Sequence, residues 1–111
     1  MARYHYVILC QAVPGREAEF DEWYDTRHLH DVRRMDGVVS ARRFNLDFQK
    51  VYDLDAPQWH SMTIYELDCD DPQALLDRIV TASKTAAMPL SDAMTKLGMV
   101  QVVAHQMSAL D

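Results

Sequence analysis

The sequence predicts an α+β fold in which two helices cover one face of a four-stranded antiparallel sheet. Four segments are rich in β-branched and aromatic residues, and two others have apolar residues at helical spacing. They follow one another as strand, helix, strand, strand, helix, strand. The 111 residues suffice for one domain with a single core, so residues 1–111 are expected to fold as one unit.

The first strand and the first helix are predicted over residues 3–12 and 16–35. Residues 3–12 contain mostly β-formers, and Pro14 and Gly15 give a strong turn signal after them. The helical spacing then continues over 16–35 without an internal glycine or proline. Gly37 follows at the position where a left-handed residue commonly ends a helix.

The second and third strands are predicted over residues 38–51 and 59–67. Side chains alternate along the long segment 38–51, and residues 53–57 have the composition of a loop. Aromatic and β-branched residues return over 59–67.

The second helix is predicted over residues 72–86. Asp71 can cap its free N–H groups, and Pro72 suits the first helical position. A short helical turn is then predicted over 91–97, and the last strand over 99–107.

This order of elements is the β-α-β-β-α-β arrangement of the ferredoxin-like fold, with the first and third strands adjacent at the centre. Both faces of the predicted sheet are apolar. The first strand has Tyr4, Tyr6, Ile8 and Cys10 on one face and His5, Val7 and Leu9 on the other. Because a face open to water would show alternating polar residues, we expect a second copy to cover the face away from the helices, as an isologous homodimer.

Charge and motifs restrict the partners and cofactors. A net charge of −6 argues against nucleic acid and anionic membranes, and no apolar segment is long enough to span a membrane. Cys10 and Cys69 form no pairing motif, which predicts reduced thiols in a cytoplasmic protein. No glycine-rich phosphate loop, dinucleotide fingerprint or nucleophile elbow is present, so no cofactor is predicted. The expected partner is a small-molecule substrate.

The first helix concentrates ring-bearing and titratable side chains in the segment WYDTRHLHD (23–31). At 100° per residue, Phe20, Tyr24 and His28 lie within the core-facing arc, with His28 near its middle. His30 points to solvent. His28 is thus either a packed core residue or a catalytic group.

Neighbouring side chains offer several roles for His28. Asp25 and Asp31 each lie three residues from it and could hydrogen-bond its ring. Asp21, Asp25 and His28 could be drawn as metal ligands, but no cysteine or further histidine supports them from that face, so no metal is predicted. His5 and His60 on the central strands could approach His28, and Tyr24 and Tyr65 could join them in general acid–base chemistry.

Residues 20–44, FDEWYDTRHLHDVRRMDGVVSARRF, resemble the EthD-like proteins of the dimeric α/β-barrel superfamily. The aromatic pair, the helix histidine, the glycine and the strand motif Ser-Ala-Arg-Arg-Phe carry the resemblance. His30 and Asp36 depart from it, because the family usually has proline at both positions. The resemblance implies a homodimer with a helix–sheet cavity in each subunit, lined by the residues matching Phe20, Trp23, Tyr24 and His28. The superfamily includes cofactor-free monooxygenases, cyclases, isomerases, lyases and haem enzymes.

The leading hypothesis is a cofactor-independent enzyme, of lyase, isomerase or cyclase type, acting on a small apolar or aromatic carbonyl metabolite. In this hypothesis His28 moves a proton, and Tyr24, His5 or His60 polarises an oxygen. Substrate-binding roles are expected for the following residues: Phe20, Trp23, Tyr65 and, through a carboxylate, Arg42. A non-catalytic carrier of a hydrophobic metabolite, a cofactor-free monooxygenase and a haem or metal protein are the alternatives.

Overall fold

The computed structural model describes residues 2–53 and 59–111. Its strands are β1 (Ala2–Ala12), β2 (Val38–Asn45), β3 (Ser61–Cys69) and β4 (Met94–Ala104). Its helical elements are α1 (Glu17–Trp23), a π-helical segment (Tyr24–His28), α2 (Leu29–Arg33) and α3 (Pro72–Ala82). All pairings are antiparallel and the strand order is β2-β3-β1-β4, which confirms the predicted arrangement with β1 and β3 at the centre.

β2 is shorter than the predicted strand over 38–51. It ends at Asn45 because this residue pairs with Ser61, the first residue of β3, so that no partner strand continues beyond it. The side chain of Gln49 instead bonds the backbone of Trp59, accepting from its N–H at 2.9 Å and donating to its carbonyl at 2.6 Å. This side-chain pairing explains why β3 begins at Ser61 rather than at residue 59. Of the predicted loop 53–57, all but Asp53 lies outside the described residues.

The prediction of a short helix over 91–97 is wrong. β4 already begins at Met94, where Met94 and Thr95 pair with Ala12 and Gln11 of β1. A ladder of backbone hydrogen bonds to a central strand satisfies more polar groups than one isolated helical turn, which explains the outcome. β4 ends at Ala104, before the predicted residue 107.

α3 begins as predicted and ends early. The carboxylate of Asp71 accepts a hydrogen bond at 3.1 Å from the backbone N–H of Ala74, and Pro72 is the first helical residue. The helix ends at Ala82 instead of residue 86. The hydroxyl of Ser83 donates at 2.7 Å to a carbonyl of the last turn, a local bond that competes with continued helix.

The core lies between the helices and one face of the sheet. Its sheet side consists of alternate residues: Tyr6, Ile8 and Cys10 of β1, and Thr63, Tyr65 and Leu67 of β3. The opposite face carries apolar side chains beside His5, Glu66 and Arg42 and is open in the single chain: Val7, Leu9, Met62 and Ile64 are half-buried, and Phe44, Val100 and Val102 are exposed. The predicted alternation is therefore correct for β1 and β3.

Two further expectations concern location. No helix among the described residues combines the length and the hydropathy needed to cross a bilayer. Cys10 and Cys69 are buried free thiols, and a cytoplasmic location stays a prediction.

Candidate functional site

A cavity of about 110 Å³ lies between the helical layer and the sheet. Tyr24 and His28 of the π-helical segment contribute to its wall, together with side chains of β1, α3 and β4. Most of these side chains are apolar, with a few polar groups among them. A concave, largely apolar site of this kind is typical of small-molecule binding.

The π-helical segment brings Tyr24 and His28 to the cavity. The N–H of Leu29 bonds the carbonyl of Tyr24, five residues earlier, where an α-helix would use the fourth. The predicted core-facing stripe is present, since Phe20, Tyr24 and Val32 are buried. Single π turns inside α-helices are frequent at functional sites, and this one contains the two polar rings of the stripe.

The imidazole of His28 is packed between aromatic rings. It stacks on Trp23 with 4.8 Å between ring centroids and meets Tyr24 edge-on at 5.1 Å. Within residues 2–53 and 59–111, its Nδ1 is buried without a hydrogen-bond partner. Burial lowers the pKa of His28 to about 4, although the nearby carboxylate of Asp31 acts in the opposite direction. The ring is therefore neutral at physiological pH.

The two aspartates expected to hydrogen-bond His28 have other partners. The carboxylate of Asp31 is almost fully buried and pairs with Arg34 and, at 2.7 Å, with Arg27. Asp25 pairs with Arg43 at 2.8 Å. The expectation that these carboxylates hydrogen-bond the ring of His28 is wrong, because both carboxylates form ion pairs with arginines instead.

Tyrosines form the polar part of the core beside His28. The hydroxyls of Tyr24 and Tyr65 lie 3.3 Å apart, and the rings of Tyr65 and Tyr6 pack at 5.7 Å. Burial raises the pKa of Tyr24 and of Tyr65, so both stay protonated. Tyr24 lines the cavity, whereas Tyr65 is fully buried and supports it.

Tyr6 and Gln101 form a polar pair in the cavity wall that the sequence did not single out. The Tyr6 hydroxyl donates to Oε1 of Gln101 at 3.1 Å, and burial raises the pKa of Tyr6 to about 12. A protonated phenol can donate a hydrogen bond to a substrate oxygen. The alternation of β1 already placed Tyr6 on one face with Cys10, but only the register of β4 brings Gln101 opposite Ile8.

His60 lies in a separate polar pocket. Its Nε2 is 2.8 Å from Oδ1 of Asp21, and the same carboxylate accepts at 2.8 Å from Arg43. Burial disfavours the charged form of Asp21, but the hydrogen bonds from Arg43 and His60 leave its pKa below the ordinary value. The ring of Phe20 packs on His60 at 5.4 Å.

His5 lies on the face of the sheet away from the helices. It is exposed and pairs across the sheet with Glu66 and Ala104. The expected approach of His5, His60 and His28 is therefore wrong. β1 and β3 are adjacent as predicted, but the side chain of His5 follows the opposite parity from the core residues Tyr6 and Ile8.

Arg42 also lies on the outer face, and Arg43 takes the inner position. Val38 pairs with Leu67, whereas Ser40 pairs with Glu66, so the register shifts by one residue at Val39. Such a bulge reverses which side chains face the core. The carboxylate-binding role expected for Arg42 in the cavity is excluded by this position.

Arg43 faces the helices instead of Arg42. Its guanidinium lies 4.6 Å from the ring centroid of Tyr24, while its terminal nitrogens bond Asp21 and Asp25. These three charges link β2 to the helical layer. In the described residues no group of three or more His, Cys, Asp or Glu side chains is arranged to hold a metal ion.

Phe20 and Trp23 contact the wall residues from behind. Phe20 is fully buried against the rings of Trp23 and Tyr24. The indole N–H of Trp23 donates to the carbonyl of Pro89 at 3.1 Å, which ties the stacking partner of His28 to the segment after α3. These positions make both residues supports for the catalytic candidates, and a direct substrate contact stays a prediction.

Solved structures resemble this arrangement over nearly its whole length. A candidate monooxygenase from Shewanella loihica PV-4 matches with a TM-score of 0.66 and 6% identity over 97% of both chains. A DABB family protein with a ferredoxin-like fold, from Mesorhizobium loti MAFF303099, matches with a TM-score of 0.61 and 10% identity. The match covers 97% of this chain and all of the other. This chain has the ferredoxin-like fold.

A third neighbour of the ferredoxin-like chain is an EthD family protein from Bacillus halodurans C-125. It matches with a TM-score of 0.61 and 14% identity, over 95% of this chain and 99% of the other. The EthD-like resemblance of residues 20–44 is thereby confirmed at the level of the fold. No protein-family model matches the sequence, and neither does any curated protein.

Proposed function

We propose that this ferredoxin-like domain is a cofactor-independent enzyme in which His28 exchanges a proton with a small, apolar carbonyl compound. The observation that carries the proposal is a histidine that lines the cavity and whose buried Nδ1 has no hydrogen-bond partner among the described residues. Buried polar atoms are nearly always hydrogen-bonded, so an unpaired nitrogen here favours a ligand as its partner. The neutral imidazole is the form that can accept a proton.

The other polar groups of the wall suit proton transfer better than covalent catalysis. A substrate oxygen that replaces Oε1 of Gln101 as the acceptor of the Tyr6 hydroxyl proton is polarised by it, which stabilises negative charge that develops when a neighbouring C–H bond breaks. Cys10 also lines the cavity, but burial raises its pKa, so the thiol is a poor nucleophile at neutral pH. We therefore favour a lyase, isomerase or cyclase step over hydrolysis.

The test measures proton exchange directly, because the substrate is unidentified. Small ketones and arylacetaldehydes, which carry acidic α-hydrogens, are incubated with the protein in heavy water, and loss of the α-hydrogen signal is followed by NMR. We expect exchange that falls about 100-fold or more in His28→Gln, the range for loss of a general base. His30→Gln is the matched control, since His30 is exposed two residues away. Exchange within about threefold of wild type in His28→Gln would rule out the catalytic role.

A cofactor-free monooxygenase is the second candidate function. The similarity to a candidate monooxygenase from Shewanella loihica favours it. In that case the substrate supplies the electrons, and one atom of labelled dioxygen should appear in the product while oxygen is consumed. A carrier without activity would bind the same compounds with neither exchange nor oxygen uptake.

We also propose that the chain belongs to the EthD-like family and acts as a homodimer. The EthD family neighbour and the motif within residues 20–44 support the family assignment. The open apolar face formed by Val7, Leu9, Ile64 and Val102 supports the dimer, because monomers rarely leave a contiguous apolar sheet face in water.

A further inference from the structure

β4 carries a bulge of several residues beside the cavity. Leu9 of β1 pairs with Val100, but two residues later Gln11 pairs with Thr95. Four residues of β4, numbers 96–99, are therefore accommodated opposite the single residue Cys10. Bulges of this kind re-aim side chains and are over-represented next to active sites.

The bulge is held in place by its own glycine and by a side chain from the segment before β3. Gly98 has φ +69°, a left-handed conformation that glycine adopts without strain. The indole N–H of Trp59 donates to the carbonyl of Gly98 at 2.8 Å. Both features make the bulge a defined part of the structure.

The bulge places Lys96 and Met99 together in the cavity wall. In a regular strand, residues three positions apart point to opposite faces of the sheet. Here both residues line the same cavity, so the extra residues of β4 bring Lys96 to a wall that regular pairing would not let it share with Met99.

Lys96 is the charged group of this wall at neutral pH. His28 is neutral there because burial lowers its pKa to about 4, and none of the wall residues that the structure describes is an aspartate or a glutamate. Within residues 2–53 and 59–111, no ion pair joins Lys96 to a carboxylate. The ammonium is thus available to a ligand.

The volume limits the apolar part of that ligand. A cavity of about 150 Å³ lined by apolar side chains binds benzene. The present volume of about 110 Å³ therefore suits at most one ring or a short branched chain, with the rest of the ligand extending towards the exposed Lys96.

We propose that the substrate is a small apolar carboxylate, whose body occupies the cavity and whose carboxylate pairs with Lys96 at the rim. This inference rests on the proposed function, because it names the substrate class of the same cavity. It places the reacting centre between the Tyr6–Gln101 pair and His28, and the anionic group at the bulge of β4.

Benzoate and its neutral isostere benzamide are the probes. Binding to the ¹⁵N-labelled protein is followed by the indole N–H signal of Trp23, which stacks on His28. We expect wild type to prefer benzoate, and Lys96→Met to weaken benzoate about tenfold, the scale of a hydrogen bond to a charged group, while benzamide changes less than twofold. Lys84→Met, which removes the same charge from an exposed site outside the cavity wall, should leave both unchanged.

Three results would overturn the inference. They are equal weakening of both probes in Lys96→Met, unchanged benzoate affinity in that variant, and absence of binding by either probe to wild type. The outcome is separable from that of the proposed function. A Lys96-dependent preference for benzoate without proton exchange would support the proposed ligand class and contradict the proposed enzymatic function. Proton exchange that depends on His28, without a preference for benzoate, would support the enzymatic function and contradict the ligand class.

Discussion

His28 combines burial, aromatic packing and an unpaired nitrogen in one side chain. The rings of Trp23 and Tyr24 and the surrounding core disfavour the imidazolium, and Asp31 is neutralised by two arginines rather than aimed at the ring. The neutral ring is suited to accept a proton, and its protonation on acidification costs stability.

This cost predicts a specific pH dependence. The unfolded state binds a proton near pH 6.5, whereas folded His28 does so only near pH 4, so the unfolded state holds more protons in between. The stability contributed by the neutral ring is present above pH 6.5 and is lost as the pH falls through this window. Urea unfolding at pH 7.5 and pH 5 should show wild type losing about 2 kcal/mol more than His28→Gln.

The matched control for this measurement is His30→Gln. Because His30 is exposed, this variant should keep the wild-type pH dependence. Equal losses in wild type and His28→Gln would show that the ring of His28 is not held neutral by the core.

Irregular backbone decides what the regular elements present to the site. The π-helical segment places Tyr24 and His28 in the cavity wall. The bulge at Val39 turns Arg43 towards the helices, and the bulge of β4 brings Lys96 to the cavity. The connection from α2 to β2 depends on Gly37, whose φ is +95°. A Cβ at this glycine would lie 3.0 Å from Cδ2 of Leu75, so space as well as conformation requires glycine.

Gly37→Ala is therefore expected to destabilise the fold more than Gly15→Ala. Gly15 has φ +86°, but a Cβ added there would meet no atom within 4 Å, so alanine costs only the left-handed conformation, about 1 kcal/mol. At Gly37 the contact with Leu75 adds to this, and we expect about 2–3 kcal/mol in total. Urea denaturation measures both, and equal losses would contradict the packing contribution of Leu75.

At the scale of the whole molecule, the outer face of the sheet leaves apolar side chains exposed in the single chain. Cross-strand pairing sets Val102 beside Val7, and Val7 beside Ile64. Val102 is 47% exposed. Packing this face on a second copy would remove these side chains from water, which stabilises at roughly 25 cal/mol per Å².

If the proposed dimer forms through this face, Val102→Asp should dissociate it. A carboxylate in an apolar interface loses hydration without gaining a partner. Light scattering at micromolar concentration should give a dimeric mass for wild type and a monomeric mass for Val102→Asp. Ala86→Asp, on an exposed segment after α3, should remain dimeric. A monomeric wild type, or a dimeric Val102→Asp, would contradict the proposed assembly.

The sequence by itself determined the order of the elements, the Asp71 cap, the glycine at position 37 and the inward face of the first helix with His28. These features depend on spacing and on contacts between residues close in the chain, which periodicity and capping preferences report. Only the tertiary structure decided that Arg43 rather than Arg42 faces inward, that His5 lies apart from His60, and that the segment predicted as helix over 91–97 is strand from Met94 onward. Each of these depends on register against a distant strand, where a one-residue bulge reverses every following side chain.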